Sequence, residues 1–136
     1  MGAALIAYAG GTLRPGIDLV LELLNADRHL SDAALTIVGE GWLDRQSAFG
    51  KAPVGVAGKA ARPGVPGGGI AIGGRDESSR QLYQHHIDAM WSICQRPMPL
   101  AESMNTCEQL LADAAENVLR TFLSGRRGEA HKRITV

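Results

Sequence analysis

The chain has 136 residues, enough for one domain with a sizeable core and too few for two ordinary ones. Fourteen Lys+Arg balance fourteen Asp+Glu, so no bulk charge is present to hold a nucleic acid or an anionic membrane. Aromatic residues make up only 4%, which argues against base-stacking platforms, while 45% hydrophobic content predicts collapse into a core.

Residues 2–9 are small and apolar and end at Gly10 and Gly11; they carry no basic leader and are too short to span a membrane. A Pro-Gly turn opens a helix predicted over about 16–25, with Ile17, Val20, Leu21, Leu23 and Leu24 at helical spacing. "SDAALTIVGEG" reads as a short helical or turn segment feeding a buried strand, Leu35 to Val38, that glycine stops. After a polar stretch, Pro53 suits a first helical turn, and Val54, Val56, Ala57, Ala60 and Ala61 predict a helix to about 62. "RPGVPGGG" breaks it, and residues 69–74 read as a second strand ended by glycines. Asp76 is the expected N-cap of a helix with Leu82, Tyr83 and Ile87 on its inner face. "AMWSIC" (89–94) is the third strand. After a Pro-rich loop, residues from Met104 to Phe122 recur at helical spacing, which predicts one long amphipathic helix from Leu100 to Leu123. The polar, basic tail 124–136 is expected to fray.

Alternating strands and helices imply a parallel sheet with right-handed crossovers and helices on both faces. "LTIV", "IAI" and "AMWSI" are continuous apolar runs, as strands buried on both faces should be. The predicted fold is a three-layer α/β sandwich, Rossmann-like or flavodoxin-like. Three strands leave two open sheet edges, a first sign of belonging to something larger. Cys94 and Cys107 lack ligand spacing for zinc, and a reduced, cytoplasmic setting is the default expectation. His85 and His86 are adjacent on a predicted helix and face different ways, so one metal fits both poorly; His29 and His131 carry no pattern.

"GEGWLDRQSAFGKAP" (39–53) concentrates the chemistry. In an open parallel sheet, ligands sit beyond the carboxyl ends of the strands. The predicted connector 39–51 is far longer than the usual ~2–6 residues, and long connectors tend to be functional. Gly39 and Gly41 would let backbone N–H groups approach phosphate oxygens, and the helix starting near Pro53 aims its positive end at the same place. Lys51 supplies a mobile positive charge. Glu40 and Asp44 suit Mg²⁺, or one of them a proton-accepting role. This reading requires Lys51 and Asp44 to face one hollow. An ordinary solvated loop, with Asp44 in a turn and Trp42 in packing, is the competing reading from spacing alone.

"LTIVGEGWLDRQSAFGKAPVGVAGKA" also resembles the signature of type-1 glycerate kinases, T-G-E-G-R-L-D-x-Q-T followed by G-K-A-P-x-G-V-A. The similarity extends to "MGAALIAYAGGTLRPGIDLVLELL" and to the last strand, Pro-containing loop and closing helix, over roughly residues 1–123. The resemblance implies ATP-dependent, Mg²⁺-assisted phosphorylation of D-glycerate by a larger two-domain kinase. This chain would be its C-terminal portion: residues 1–30 a remnant of the neighbouring domain, 31–123 the flavodoxin-like domain. Catalytic roles would fall on Asp44 and Lys51, and metal binding on Glu40 and Asp44. Substrate or phosphate contacts would fall on Gly39, Gly41, Gln46, Gly50 and Arg14. Gly39, Glu40, Gly41, Leu43, Asp44, Gln46, Gly50, Lys51, Ala52 and Pro53 fit the pattern. Trp42 stands in place of arginine, Ser47 in place of threonine, and "VPGGGIAIGG" in place of a less glycine-rich strand. Such a chain is expected to be incomplete on its own and to pair with the missing N-terminal part or another subunit. The alternatives are a non-catalytic truncated fragment and a small anion-binding α/β module. No nucleic acid or membrane partner is expected.

Overall fold

The computed structural model describes residues 2–128. Three helices come first: α1 (Gly2–Ala9), α2 (Gly16–Leu23) and α3 (Ala26–Leu30). β1 (Thr36–Leu43) follows, then a 3-10 helix (Arg45–Ala48), α4 (Ala52–Ala61) and β2 (Gly67–Arg75). A second 3-10 helix (Glu77–His85) leads to β3 (Ala89–Ser92), α5 (Leu100–Asn105) and α6 (Cys107–Gly128).

The strands form one sheet in the order β1-β2-β3, both pairs parallel. With strands added in sequence order, crossovers of one hand must lie on one face. Val38 and Leu43 of β1 accordingly share a buried cluster with Ala57 of α4 and with Leu82 and Ile87 from the second crossover. The opposite face is covered by α6: Ile70 and Ile93 pack with Ala114 and Val118, flanked by Trp91, Leu110 and Leu111. Burying each such Leu, Ile or Val stabilises the fold by about 1.5–3 kcal/mol. The three-layer parallel arrangement is the one the sequence predicts.

The strand ends differ from expectation. Glycine does not stop β1, which continues through Gly39 and Gly41 to Leu43. Its register runs from Thr36 opposite Gly67 to Leu43 opposite Arg75, with one irregularity between Glu40 and Trp42. A ladder partner overrides low intrinsic strand preference, and here the partner is itself glycine-rich. The strands lie so close that a Cβ on Gly73 would sit 2.7 Å from the Gly41 carbonyl oxygen. The connector predicted over 39–51 therefore shrinks to 44–51, and half of that is 3-10 helix.

β2 is likewise longer than residues 69–74. Gly67 and Gly68 mark close approaches rather than mere softness: a Cβ on Gly67 would meet the His86 carbonyl oxygen at 2.7 Å, and one on Gly68 the Trp91 ring at 3.0 Å. The segment after Asp76 is 3-10, not α, and only Leu82 and Ile87 point inward; Tyr83 is exposed. The long C-terminal helix is broken at Thr106, whose hydroxyl donates to the Glu102 carbonyl. α6 then runs to Gly128, so residues 124–128 of the supposed frayed tail are helical, with the Arg126 guanidinium 5.7 Å from the Phe122 ring centre. The rest of that tail, His131 included, lies outside the described residues.

The first thirty residues attach through α2 and α3. Ile17 lies so close to α4 that a Cβ on Gly55 would meet its side chain at 2.6 Å, and Lys59 pairs with Asp27 at 3.1 Å. α1 is different: it carries no charge, yet none of its residues is buried.

Candidate functional site

β1 delivers its chemistry at its carboxyl end. Asp44 caps the first 3-10 helix through a reciprocal pair: the Ser47 N–H donates to Asp44 Oδ1 at 3.0 Å, and the Asp44 N–H donates to Ser47 Oγ at 3.3 Å. Ser47 is fully buried and its hydroxyl donates to Glu40 Oε2 at 2.9 Å. Glu40 Oε1 in turn lies 3.2 Å from Lys51 Nζ, at the N-cap of α4. Asp44, Ser47, Glu40 and Lys51 thus form one continuous polar chain. Gly50, at φ +71°, makes the left-handed turn that brings Lys51 back over β1, a conformation that favours glycine.

The second strand ends beside the first. Leu43 pairs with Arg75, so Asp44 and Asp76 leave the sheet as neighbours, and the Asp76 N–H donates to the Leu43 carbonyl at 3.3 Å. Asp76 Oδ1 accepts from both the N–H (2.9 Å) and the hydroxyl (2.5 Å) of Ser78, whose oxygen also receives the Arg45 N–H at 2.8 Å. These contacts stitch the starts of the two 3-10 helices together. The Ser78 hydroxyl, then the N–H groups of Ser78 and Ser79 and the Trp42 indole, hold the Asp76 carboxyl below its ordinary value against the opposing effect of desolvation.

Two open cavities meet at Asp76. One, of 450 Å³, is lined by Asp44, Arg45, Gln46, Phe49, Asp76 and Ser78. The other, of 410 Å³, is lined by Arg75, Asp76, Glu77, Arg80 and Tyr83.

The predicted site residues separate accordingly. Asp44 and Gln46 share the first cavity, but Lys51 is not among its lining residues; its ammonium turns to Glu40 instead. Asp44 and Lys51 do not line this cavity together, and the link between them runs through Ser47 and Glu40. Gly39 sits in the ladder opposite Ile70 and Gly41 at the register irregularity, so neither belongs to a free loop. Arg14 pairs with Glu22 of α2. Trp42 is half exposed, its ring so close that a Cβ on Gly74 would lie 2.9 Å away.

From the sequence, Asp76 reads only as a cap, and Arg75 and Arg80 carry no site signal of their own. A signal existed: "LDRQS" and "RDESS" both place Asp directly after a strand and Ser three residues later, the spacing of an N-cap.

No group of three His, Cys, Asp or Glu among the described residues is arranged to hold a metal. Both Glu40 oxygens are engaged, by Lys51 and Ser47, and Asp44 Oδ1 by the cap. That leaves Asp44 Oδ2, which fits Mg²⁺ in its usual mode at phosphates, through one or two carboxylates, water and the phosphate oxygens themselves. No described helix is long and apolar enough to cross a membrane.

The model of the Glycerate kinase family matches residues 1–123. A glycerate kinase of Bacillus cereus is 43% identical over 119 residues, 87% of this chain and 31% of that protein. A glycerate 2-kinase of Escherichia coli K12 is 38% identical over 127 residues, 93% of this chain and 33% of that protein. A crystal structure from Salmonella typhimurium LT2, assigned as glycerate kinase 2, superposes with a TM-score of 0.68 at 37% identity, over 93% of this chain and 32% of that one. The chain thus spans about a third of the length of these relatives. On its sequence and on its fold, it belongs to the glycerate kinase family.

Proposed function

We propose that this chain carries part of the phosphoryl-transfer site of a glycerate kinase, which moves a phosphoryl group from ATP to D-glycerate with Mg²⁺. The observation that carries the reading is the Asp44–Ser47–Glu40–Lys51 chain at the carboxyl edge of a parallel sheet, in a member of this family. Phosphoryl transfer asks a protein mainly for positioning and for positive charge near the transferring group. Lys51 supplies charge at the N-terminus of α4, held in place by Glu40. Asp44 faces the cavity, where it accepts a hydroxyl proton or, through Oδ2, binds the metal; Gln46 beside it offers a hydrogen bond to the acceptor. Bound Mg²⁺ supplies charge neutralisation on the phosphates. Gly50 sets the turn that orients Lys51, while Gly39 and Gly41 keep β1 close to β2.

Residues 1–30 belong with a neighbouring domain in this reading, and unburied α1 supports it. Turnover needs the remaining two thirds of the relatives' length, supplied in the same polypeptide or as a separate one. The unpaired thiols Cys94 and Cys107 support a cytoplasmic setting. The test is ADP release with D-glycerate and Mg-ATP, by the chain alone and together with a polypeptide covering the rest of a relative such as the Bacillus cereus protein. Release only in the mixture is expected. No release in either, with both parts folded, overturns the reading.

A further inference from the structure

Two cations singled out in the sequence already carry an ion-pair partner. Lys51 is engaged by Glu40, and Arg14 by Glu22. Around the 410 Å³ cavity the situation is reversed: Arg75 and Arg80 form no ion pair among the described residues, and both line it. Arg75 is the last residue of β2 and pairs with Leu43, so it stands one position before Asp76 at the same sheet edge as Asp44. Glu77, Asp76 and the Tyr83 ring complete the wall. Two guanidiniums suit a planar oxyanion, which they bind with two parallel N–H bonds each, and neighbouring carboxylates suit hydroxyl hydrogens. The Asp76 carboxylate is held in place by Ser78 and is an acceptor, not a donor.

We infer that the Arg75–Arg80 cavity is the carboxylate subsite for a small hydroxy acid, with Asp76 and Glu77 accepting from its hydroxyl groups. This deepens the kinase reading and rests on it for the identity of the acid. The subsite adjoins the Asp44 cavity through their shared Asp76.

The test titrates the full chain with D-glycerate, acetate and pyrophosphate and follows the arginine side-chain N–H signals. D-glycerate is expected to shift those of Arg75 and Arg80. Arg75→Gln and Arg80→Gln are each expected to weaken D-glycerate at least tenfold with an unchanged circular dichroism spectrum, since both side chains are exposed. Acetate, lacking hydroxyls, is expected to bind at least tenfold more weakly. No arginine shift with D-glycerate overturns the subsite, as does undiminished binding in both variants. Pyrophosphate binding there more tightly than D-glycerate overturns the choice of carboxylate over phosphate. The two readings fail separately. Turnover in the complemented enzyme with an unchanged KM for D-glycerate in Arg75→Gln removes the subsite and leaves the kinase. Arginine-dependent D-glycerate binding without any turnover removes the kinase and leaves the subsite.

Discussion

Lys51 Nζ lies 3.2 Å from Glu40 Oε1, which ties the first turn of α4 to the irregular register of β1. The Lys51 side chain is 37% exposed and that of Glu40 23%, so solvent screens the pair and its direct contribution to stability stays below about 1 kcal/mol. Its value is positional. Lys51→Ala is expected to change urea unfolding by less than about 1 kcal/mol while lowering complemented ADP release about 100-fold, the scale of losing one charge-stabilising group. A loss of stability without a loss of turnover would contradict the role given to Lys51.

Glu40 does more for folding than its partner. Glu40→Ala removes the nearest acceptor of the fully buried Ser47 hydroxyl, leaving the more distant Trp42 carbonyl at 3.3 Å and Asp44 Oδ1 at 3.4 Å. A destabilisation of about 1–3 kcal/mol is expected. Glu40→Gln keeps an acceptor for Ser47 and should recover most of it, which a denaturant series on the three proteins measures directly.

Ser47→Ala leaves the backbone N–H of position 47 on Asp44 Oδ1 but deletes the hydroxyl's half of the capping box and its bond to Glu40. The cost expected is about 1–2 kcal/mol for these lost hydrogen bonds, read as a lower urea midpoint at unchanged slope.

Two glycine substitutions should act in opposite directions. Gly67→Ala drives a methyl group onto the His86 carbonyl, which is main chain and has no room to yield; about 1–3 kcal/mol of stability should go. Gly58→Ala, inside α4 with nothing within 4 Å of the new carbon, should stabilise by about 0.5–1 kcal/mol. Thermal unfolding of both variants checks the pair.

Asp76 predicts a pH effect. Its folded pKa lies below the ordinary 3.8, chiefly because of the Ser78 hydroxyl. The unfolded chain therefore takes up the proton first, so the stabilisation is present above pH 3.8 and disappears as pH falls through the lower folded value. The urea midpoints of the wild-type chain and Asp76→Asn should differ at pH 6 and converge in that acid window. Parallel midpoints at every pH would show that Asp76 is not the group responsible.

The layers and the parallel order were legible because continuous apolar runs separated by helix-length segments admit few other folds. Strand ends were not, because glycine normally interrupts a strand, and β1 continues through Gly39 and Gly41 only because β2 offers it ladder partners, Ile70 opposite Gly39 and Gly73 close against the Gly41 carbonyl. The concentration of polar groups at 39–53 was legible from composition, and Asp44 and Gln46 do meet at one cavity. The Lys51–Glu40 pairing was not, since it depends on a left-handed turn at Gly50 and a register irregularity that spacing does not encode. Arg75 stayed invisible for a similar reason: its place beside the start of Asp44's segment follows from the alignment of Leu43 with Arg75, a long-range fact.

α1 has further consequences for how the molecule behaves in solution. An eight-residue helix with no buried side chain has little besides its backbone bonds and the Gly11 N–H on the Leu5 carbonyl to hold it, and such short helices are marginal in water. Its amide protons should exchange with deuterated solvent nearly as fast as those of a free peptide, while the central strand retains its protons longest. An added polypeptide that slows exchange at residues 2–9 selectively would identify itself as the cover this helix lacks.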